Sequence, residues 1–202
     1  MSQSFMEAYR RLAPEAGLPL ELAPVFAAWH ELLVRWNVKV NLTRVVAPRR
    51  AVAYHLADAA PLARVLPPGA TLLDIGSGAG VPGLVVAALR PDAAVTCAES
   101  SVKKAAFLGQ AVAAMGLRNV DVVHDRAEDL HERFDVVTAR AVVDPPELAK
   151  RFGHLLADGG ALALFLSTRA EFATPDGFSI AQEVAYTLPA GEGERRLVLV
   201  RR

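Results

Sequence analysis

The chain is short of cysteine, of long apolar stretches and of net charge. Its 202 residues include a single cysteine, Cys97, which excludes an intramolecular disulfide and a zinc site of four cysteines. No apolar run approaches the roughly 18 residues that a membrane-spanning helix needs. Because 22 basic residues balance 22 acidic ones, any nucleic-acid surface must be a local concentration of charge.

Several catalytic and targeting patterns are missing as well. The five histidines are scattered without metal-ligand spacing, so no metal is expected. Gly76-Ser77-Gly78 lacks the spacing of a serine-hydrolase nucleophile. The N-terminal residues do not show the basic and apolar blocks of a secretory signal, and a cytoplasmic location is therefore expected.

The most informative segment is Leu72-Leu73-Asp74-Ile75-Gly76-Ser77-Gly78-Ala79-Gly80-Val81-Pro82-Gly83. An apolar run, a glycine cluster and the unbroken apolar residues 84–89 predict a strand, a tight loop and a helix. Glycines let a ligand approach the backbone closely, and a helix N-terminus presents unpaired N–H groups. The pattern predicts a loop for a nucleotide-type cofactor.

Two cofactors fit this loop. Gly78-x-Gly80-x-x-Gly83 matches a dinucleotide fingerprint, and Asp74-x-Gly76-x-Gly78-x-Gly80 matches the S-adenosylmethionine loop of class I methyltransferases. A carboxylate at the end of the strand would repel a pyrophosphate but attract a sulfonium and an ammonium group. Asp74 therefore favours the methyl donor.

The residues after 69 predict a parallel sheet that ends in an antiparallel hairpin. Short apolar strands are predicted at 71–75, 93–98, 120–124, 134–139 and 161–166, with helices at 102–115 and 147–157. Segments 184–188 and 197–200 are joined by a glycine-rich connection and predict the hairpin. This ending is typical of class I methyltransferases, whereas a dinucleotide domain would continue with parallel strands.

Residues 1–68 predict an N-terminal helical extension to a methyltransferase domain at 69–202, with the boundary at Pro67-Pro68-Gly69. Helices are predicted at 5–12, at 22–36 and from near Pro48. The extension also carries the one local excess of positive charge, between residues 31 and 55. This segment contains a single acid, Glu31, and five basic residues: Arg35, Lys39, Arg44, Arg49 and Arg50. Such a face is either merely solvated or contacts phosphates.

The ends of the other predicted strands carry further candidates, because ligands bind beyond the carboxyl ends of such sheets. Glu99 is placed to accept hydrogen bonds from ribose hydroxyls. Ala127 and Glu128 are placed to hold an adenine, or else lie in a solvated loop. Arg140 follows strand four and would face both cofactor and substrate, unless it forms a structural ion pair.

Two other motifs are interpreted as structural or irrelevant. Asp144-Pro145-Pro146 comes too late after strand four and lacks the aromatic residue of amine methyltransferases, because Glu147 stands there. His55 and Asp58 lie one helical turn apart and are interpreted as a structural pair rather than a catalytic one.

These motifs together resemble the glucose-inhibited division protein B family of 16S rRNA guanine-N7 methyltransferases. The resemblance covers nearly the whole chain and is carried by Trp36-Asn37, Asn41-Leu42-Thr43, His55-Leu56-Ala57-Asp58, the glycine segment, Lys103, Phe107, Leu108, Asp125-Arg126-Ala127-Glu128, Ala139-Arg140-Ala141 and Gly193-Glu194-Arg195. The chain departs from the family at Ala59, where serine is usual, and at Leu166-Ser167-Thr168, where Lys-Gly is usual.

The resemblance implies S-adenosylmethionine as cofactor and 16S rRNA, or the small ribosomal subunit, as substrate. A monomer is expected, although no residue pattern in the sequence indicates the oligomeric state. The predicted cofactor-binding residues are Asp74, Gly76, Gly78, Gly80, Val81, Glu99, Ala127, Glu128 and Arg140. The predicted RNA-binding residues are Arg35, Asn37, Lys39, Asn41, Arg44 and His55. Arg140 is the predicted catalytic residue, in an in-line transfer that needs no general base.

Two alternatives stay open at this point. The first is an RNA-binding protein of methyltransferase fold with weak or no catalysis, which the missing Lys-Gly suggests. The second is an NAD-dependent oxidoreductase, which Asp74 and the hairpin disfavour.

Overall fold

A seven-stranded sheet forms the centre of the protein, in the order β3-β2-β1-β4-β5-β7-β6. The computed structural model describes residues 3–140 and 144–202. The strands are β1 Thr71–Ile75, β2 Ala94–Ala98, β3 Val120–Val123, β4 Phe134–Thr138, β5 Leu156–Ser167, β6 Ser179–Leu188 and β7 Gly193–Arg201. Strands β1 to β5 pair in parallel, and β7 pairs antiparallel with both β5 and β6. The predicted parallel sheet and its terminal hairpin are confirmed.

Helices cover both faces of this sheet. They are α1 Gln3–Leu12, α2 Ala23–Asn37, α3 Pro48–Ala51, α4 Asp58–Val65, α5 Gly83–Leu89, α6 Val102–Met115 and α7 Pro145–Phe152. A π-helical turn, Val52–Ala57, joins α3 to α4 without a break. Short 3-10 turns lie at Pro14–Ala16, Leu20–Leu22, Ala127–Asp129, Gly153–Leu155 and Pro189–Gly191. Within the described residues, no helix has the length and apolar character to cross a membrane.

The hydrophobic core lies in two layers, because neighbouring residues of a strand face opposite sides of the sheet. Leu72 packs in the layer that contains Phe5, Trp29 and Phe107, and Leu73 packs in the opposite layer. The first layer is therefore built from α1 and α2 of the helical extension as well as from α6. The extension covers one face of the sheet, and the division at residue 68 stays a prediction.

Strand β5 differs from its prediction, since it begins at Leu156 rather than at 161. It pairs Leu156 with Phe134 and then Ala161 with Val136, so residues 157–160 bulge from the ladder. A Cβ on Gly160 would lie 2.9 Å from the Ala157 carbonyl oxygen and 3.0 Å from that of Phe134. Gly160 permits this bulge, because a side chain at this position would collide with the neighbouring carbonyl oxygens.

Candidate functional site

The glycine loop joins β1 to α5 at the carboxyl edge of the sheet, and its backbone is firmly tied. Gly76 and Gly80 have φ of +65° and +81°, a region that glycine adopts without strain. The Gly76 amide donates to the Ala98 carbonyl oxygen at 2.8 Å. The Trp29 indole N–H donates to the Ala79 carbonyl oxygen at 2.9 Å. The loop is therefore held both by β2 and by α2 of the extension.

Asp74 lies beneath this loop rather than in it. Its side chain is 1% exposed, and Oδ2 accepts a hydrogen bond from the Gly83 amide at 2.9 Å. Burial raises the pKa of Asp74 to about 6, against the lowering effect of the Gly83 hydrogen bond. The direct contact of Asp74 with the cofactor stays a prediction, and the structure shows that its buried carboxylate also holds the start of α5.

Glu99 follows β2 and connects the glycine loop to the start of α6. Its Oε2 accepts from the Gly78 amide at 3.0 Å and its Oε1 from the Ser101 amide at 3.0 Å. The residue is buried, but each carboxylate oxygen has a second lone pair. Glu99 can therefore hold the loop and still accept a hydrogen bond from a ribose hydroxyl.

Ala127 and Glu128 form the turn that follows β3. Ala127 is buried, and Glu128 forms an ion pair with Arg151 of α7. The hydrogen bond from Arg151 lowers the pKa of Glu128, which therefore stays ionised. The turn offers a small apolar wall beside a fixed carboxylate.

Arg140 follows β4 and is the centre of a cluster that the extension completes. Its Nη1 donates to the Tyr54 carbonyl oxygen at 2.8 Å and to Asp58 Oδ2 at 3.1 Å. Its Nη2 lies 3.1 Å from His55 Nδ1. Since a guanidinium can only donate, Nδ1 is the acceptor, and the proton of a neutral His55 ring lies on Nε2.

The second nitrogen of that ring is also engaged, because His55 Nε2 lies 3.0 Å from the Val45 carbonyl oxygen. His55 is 3% exposed, and its pKa is lowered to about 4 by burial and by the charge of Arg140. The RNA contact of His55 stays a prediction, and the structure shows that the ring is engaged within the protein. The predicted pairing of His55 with Asp58 becomes a cluster in which both residues bind Arg140.

The cluster depends on the π-helical turn Val52–Ala57, which contains both Tyr54 and His55. Such turns insert a residue into a helix and are frequent at functional sites. Here the Tyr54 carbonyl oxygen accepts from Arg140. Sequence reasoning missed this turn, because the helical spacing continues through it without a breaker.

The C-terminal hairpin closes over the same cluster. The Tyr186 hydroxyl donates to Asp58 Oδ1 at 2.7 Å, and the Tyr54 hydroxyl donates to Glu192 Oε2 at 2.8 Å. Burial and the charge of Asp58 raise the pKa of Tyr186, which therefore stays a neutral donor. Asp58 is thus satisfied from two sides, by Arg140 and by Tyr186.

A cavity of about 400 Å³ opens beside Arg140. Its lining residues come from the extension, from the ends of β4 and β5 and from β7: Thr43, Val45, Tyr54, His55, Asp58, Arg140, Phe165, Leu166, Ser167 and Arg195. The volume lies in the range of small-ligand sites. Leu166 and Ser167, where the chain departs from the resembling family, are part of this wall.

The remaining predicted RNA residues divide into two groups. The side chains of Arg35, Lys39, Asn41 and Arg44 are exposed. Asn37 is not a free surface group, because its Oδ1 accepts from the Leu42 and Thr43 amides at 2.9 and 3.0 Å. Its RNA contact stays a prediction, and these two hydrogen bonds shape the connection from α2 to α3.

The residues at the carboxyl edge fit S-adenosylmethionine by their chemistry. Residues 74–83 contain no basic side chain for a pyrophosphate, whereas Asp74 and Glu99 place negative charge beneath and beside the loop. Gly78 leaves its side open, since the nearest heavy atom to a Cβ there would be 3.7 Å away. Glu99, Ala127 and the open side of Gly78 are the groups that could hold the donor. Among the described residues, no cluster of three or more metal-ligating side chains occurs.

The sheet order, the terminal hairpin and this edge define a class I S-adenosylmethionine-dependent methyltransferase fold. A solved methyltransferase from Aquifex aeolicus has a TM-score of 0.55 and 15% identity, covering 74% of this chain and 92% of that chain. M. jannaschii TYW2 in complex with AdoMet has a TM-score of 0.54 and 14% identity, covering 71% and 72%. The predicted fold class is confirmed.

Relatives of much higher identity give the family. The GidB model, described as rRNA small subunit methyltransferase G, matches residues 23–196. The protein named ribosomal RNA small subunit methyltransferase G in Chromobacterium violaceum is 40% identical to this chain, over 83% of this chain and 82% of that protein. The protein of the same name in Xanthomonas euvesicatoria is 38% identical, over 95% of this chain and 97% of that protein. The chain belongs to the rRNA small subunit methyltransferase G family, and S-adenosylmethionine is its cofactor. The predicted resemblance is confirmed, and the two alternative functions are not favoured.

Asp74 and His55 are expected to act on stability in opposite directions as pH changes. Because the folded-state pKa of Asp74 is raised, its favourable contribution is complete below about pH 4 and is lost as pH rises to about 6. Because the folded-state pKa of His55 is lowered, the contribution of His55 to stability is complete above about pH 6.5 and is lost as pH falls to about 4. The two effects should nearly cancel in the wild-type protein between about pH 4 and 6.

Asp74→Asn removes the first effect alone. Its free energy of unfolding relative to wild type should rise by roughly 3 kcal/mol between about pH 4 and 7, because each pKa unit corresponds to about 1.4 kcal/mol. Urea unfolding at several pH values measures this difference. The exposed Asp176→Asn variant is the control and should follow wild type. A pH-independent difference for Asp74→Asn contradicts the prediction.

Proposed function

We propose that the protein transfers a methyl group from S-adenosylmethionine to N7 of a guanine in 16S rRNA, in line and without a general base. The observation that carries this proposal is the engagement of every acid and histidine that lines the Arg140 cavity. Asp58 is bound by Arg140 and Tyr186, and His55 is engaged at both ring nitrogens. Neither ring nitrogen of His55 is left to accept a proton, and both oxygens of Asp58 are already held by Arg140 and Tyr186, so neither residue is arranged as a general base.

Guanine N7 matches such a site, because the neutral base carries a lone pair there and no proton has to leave. S-adenosylmethionine, when bound, supplies a methyl group that the sulfonium already activates. The protein then contributes position, which can be worth about 7–11 kcal/mol of the barrier. Arg140 is fixed by three partners and can present its charge to the cavity without reorganising.

The cavity also offers donors for orienting a base. Arg195 contributes a second guanidinium, and Thr43 and Ser167 contribute hydroxyl groups. A guanine reaches them only when its base is unstacked, as in single-stranded loops of structured RNA. We propose that the enzyme acts as a monomer in the cytoplasm, on such a guanine.

The proposal is tested with small ribosomal subunits from cells that lack the protein. They are incubated with the purified protein and methyl-labelled donor, and naked 16S rRNA is treated in parallel. Label at N7 of one guanine supports the proposal, and the better substrate identifies the natural form. Binding without label supports an RNA-binding protein instead, and label at an exocyclic amine contradicts the proposed chemistry.

A further inference from the structure

A second cleft lies between α2 and α6, separate in its lining from the Arg140 cavity. It has a volume of about 580 Å³ and is lined by Arg35, Trp36, Lys39, Val40, Lys103 and Gln110. Three of these residues are cationic and none is acidic. One wall comes from the helical extension and the other from the sheet domain, so the cleft exists only where the two meet.

The aromatic member of the cleft is held in one orientation. The Trp36 ring lies edge-on to Phe107, with centroids 6.0 Å apart and planes at 68°. Its indole N–H donates to Gln110 Oε1 at 3.2 Å. Trp36 is half-buried, unlike Trp29, which is buried in the core. A fixed and partly exposed indole is a ready stacking surface for a nucleic-acid base.

Two exposed apolar side chains are the chain neighbours of the cleft lysines, and Val40 lies in the lining itself. Val38, next to Lys39 in the chain, is 83% exposed, and Val102, next to Lys103, is 66% exposed. Ammonium groups alone would serve any anion. The combination with an indole and exposed methyl groups suits a nucleotide, which offers a flat base, a sugar and a phosphate together.

Both walls of the cleft are anchored to the cofactor loop. Helix α2 is tied to it by the Trp29 bond to Ala79, and Trp36 lies about two turns further on, roughly 10 Å along the helix. Glu99 holds both the loop and the residue that precedes α6. A nucleotide in the cleft would therefore lie near the donor, beside the target base and not in its place.

We propose that this cleft binds a single-stranded nucleotide of the substrate RNA that flanks the methylated guanine. Its base stacks on Trp36, and its phosphate is held by Lys39 and Lys103. Proteins commonly recognise single-stranded RNA by stacking splayed bases on aromatic rings. The cleft thereby fixes the register of the strand while the Arg140 cavity receives the target. This proposal rests on the proposed function, because it takes ribosomal RNA as the substrate.

The first test measures binding without methyl transfer. The full-length protein is titrated with a short single-stranded oligoribonucleotide and with naked 16S rRNA. Trp36→Leu should weaken both affinities about tenfold, which is within the range for loss of one base stack, and Trp36→Phe should weaken them much less. The affinity for S-adenosylmethionine and the melting temperature of each variant serve as controls for folding.

The second test uses salt. The slope of log affinity against log salt concentration is negative for RNA binding. Lys39→Gln and Lys103→Gln should each make it less steep by about 0.7, the value for one phosphate contact on a single strand. Arg133→Gln is the matched control, because Arg133 is exposed and precedes β4 at the amino edge of the sheet. It should leave the slope unchanged.

The two lysine variants keep the proposal testable even if Trp36→Leu fails to fold, because both side chains project from the surface of helix ends. Unchanged RNA affinity and salt slope in both lysine variants overturn the proposal. The proposal is also overturned if the variants bind assembled subunits more weakly but bind naked RNA normally. That result would indicate that the cleft binds a ribosomal protein. Since these measurements need no catalysis, a protein that binds RNA here but does not methylate it refutes the proposed function and not the cleft.

Discussion

Replacing Arg140 by alanine is expected to reduce methyl transfer at least about a hundredfold, the scale on which misplacement of reacting groups affects rates. The substitution removes the charge beside the cavity and the group that binds Tyr54, His55 and Asp58 together. It also leaves the buried carboxylate of Asp58 without its cation, which should cost roughly 3 kcal/mol of stability. Single-turnover methylation and urea unfolding measure the two effects separately.

Two further variants separate the role of Arg140 in transfer from its role in folding. Asp58→Asn combined with Arg140→Ala removes the orphaned charge, so it should recover much of the lost stability but not the activity. Arg133→Ala removes an arginine of the surface pair with Asp158 and should affect neither. If Arg140→Ala methylates at the wild-type rate and binds RNA normally, Arg140 has no part in the reaction.

The second large effect is expected from Gly83→Ala at the start of α5. A Cβ there would lie 2.7 Å from Cys97 Sγ and 2.8 Å from Asp74 Oδ2, and both atoms belong to fully buried side chains. Overpacking and strain on the bond between Asp74 and the Gly83 amide should together cost about 3 kcal/mol. The affinity for S-adenosylmethionine should fall as well, because the loop is displaced. Thermal unfolding and calorimetric titration measure both.

A glycine in α6 provides the matched control. A Cβ on Gly109 meets no atom within 4 Å, so Gly109→Ala should stabilise the protein by about 0.5–1 kcal/mol. Cys97→Ala should partly rescue Gly83→Ala, because it removes one of the two clashing atoms. Equal stability of the two glycine variants is the outcome that contradicts this explanation.

The sequence predicts the framework well, because apolar periodicity and glycine placement act locally. Strand β1 is predicted within its observed bounds, and α6 likewise. A motif gives the position of a side chain but not its burial or its partners within the protein. Asp74, His55 and Asn37 are predicted as ligand contacts, and the sequence does not show that each of them also binds neighbouring backbone groups.

The Arg140 cluster was beyond sequence reasoning for a different reason. Its bonds to Tyr54 and Asp58 join residues more than 80 positions apart, and the π-helical turn that contains Tyr54 has no sequence signal. The sequence did place Arg140, Glu99 and the glycine loop at one edge, because strand ends in a parallel sheet share an edge. It could not show that the helical extension completes that edge.

During synthesis of the chain, the Arg140 cluster can be completed only after the C-terminal hairpin of β6 and β7 has been made. The Tyr54 hydroxyl binds Glu192, which the ribosome adds 138 residues later. At about 5–20 residues per second this separation corresponds to roughly 7–28 seconds, during which the nascent chain lacks a completed substrate pocket. The Arg140 cluster is therefore completed only after the last strands have emerged and paired.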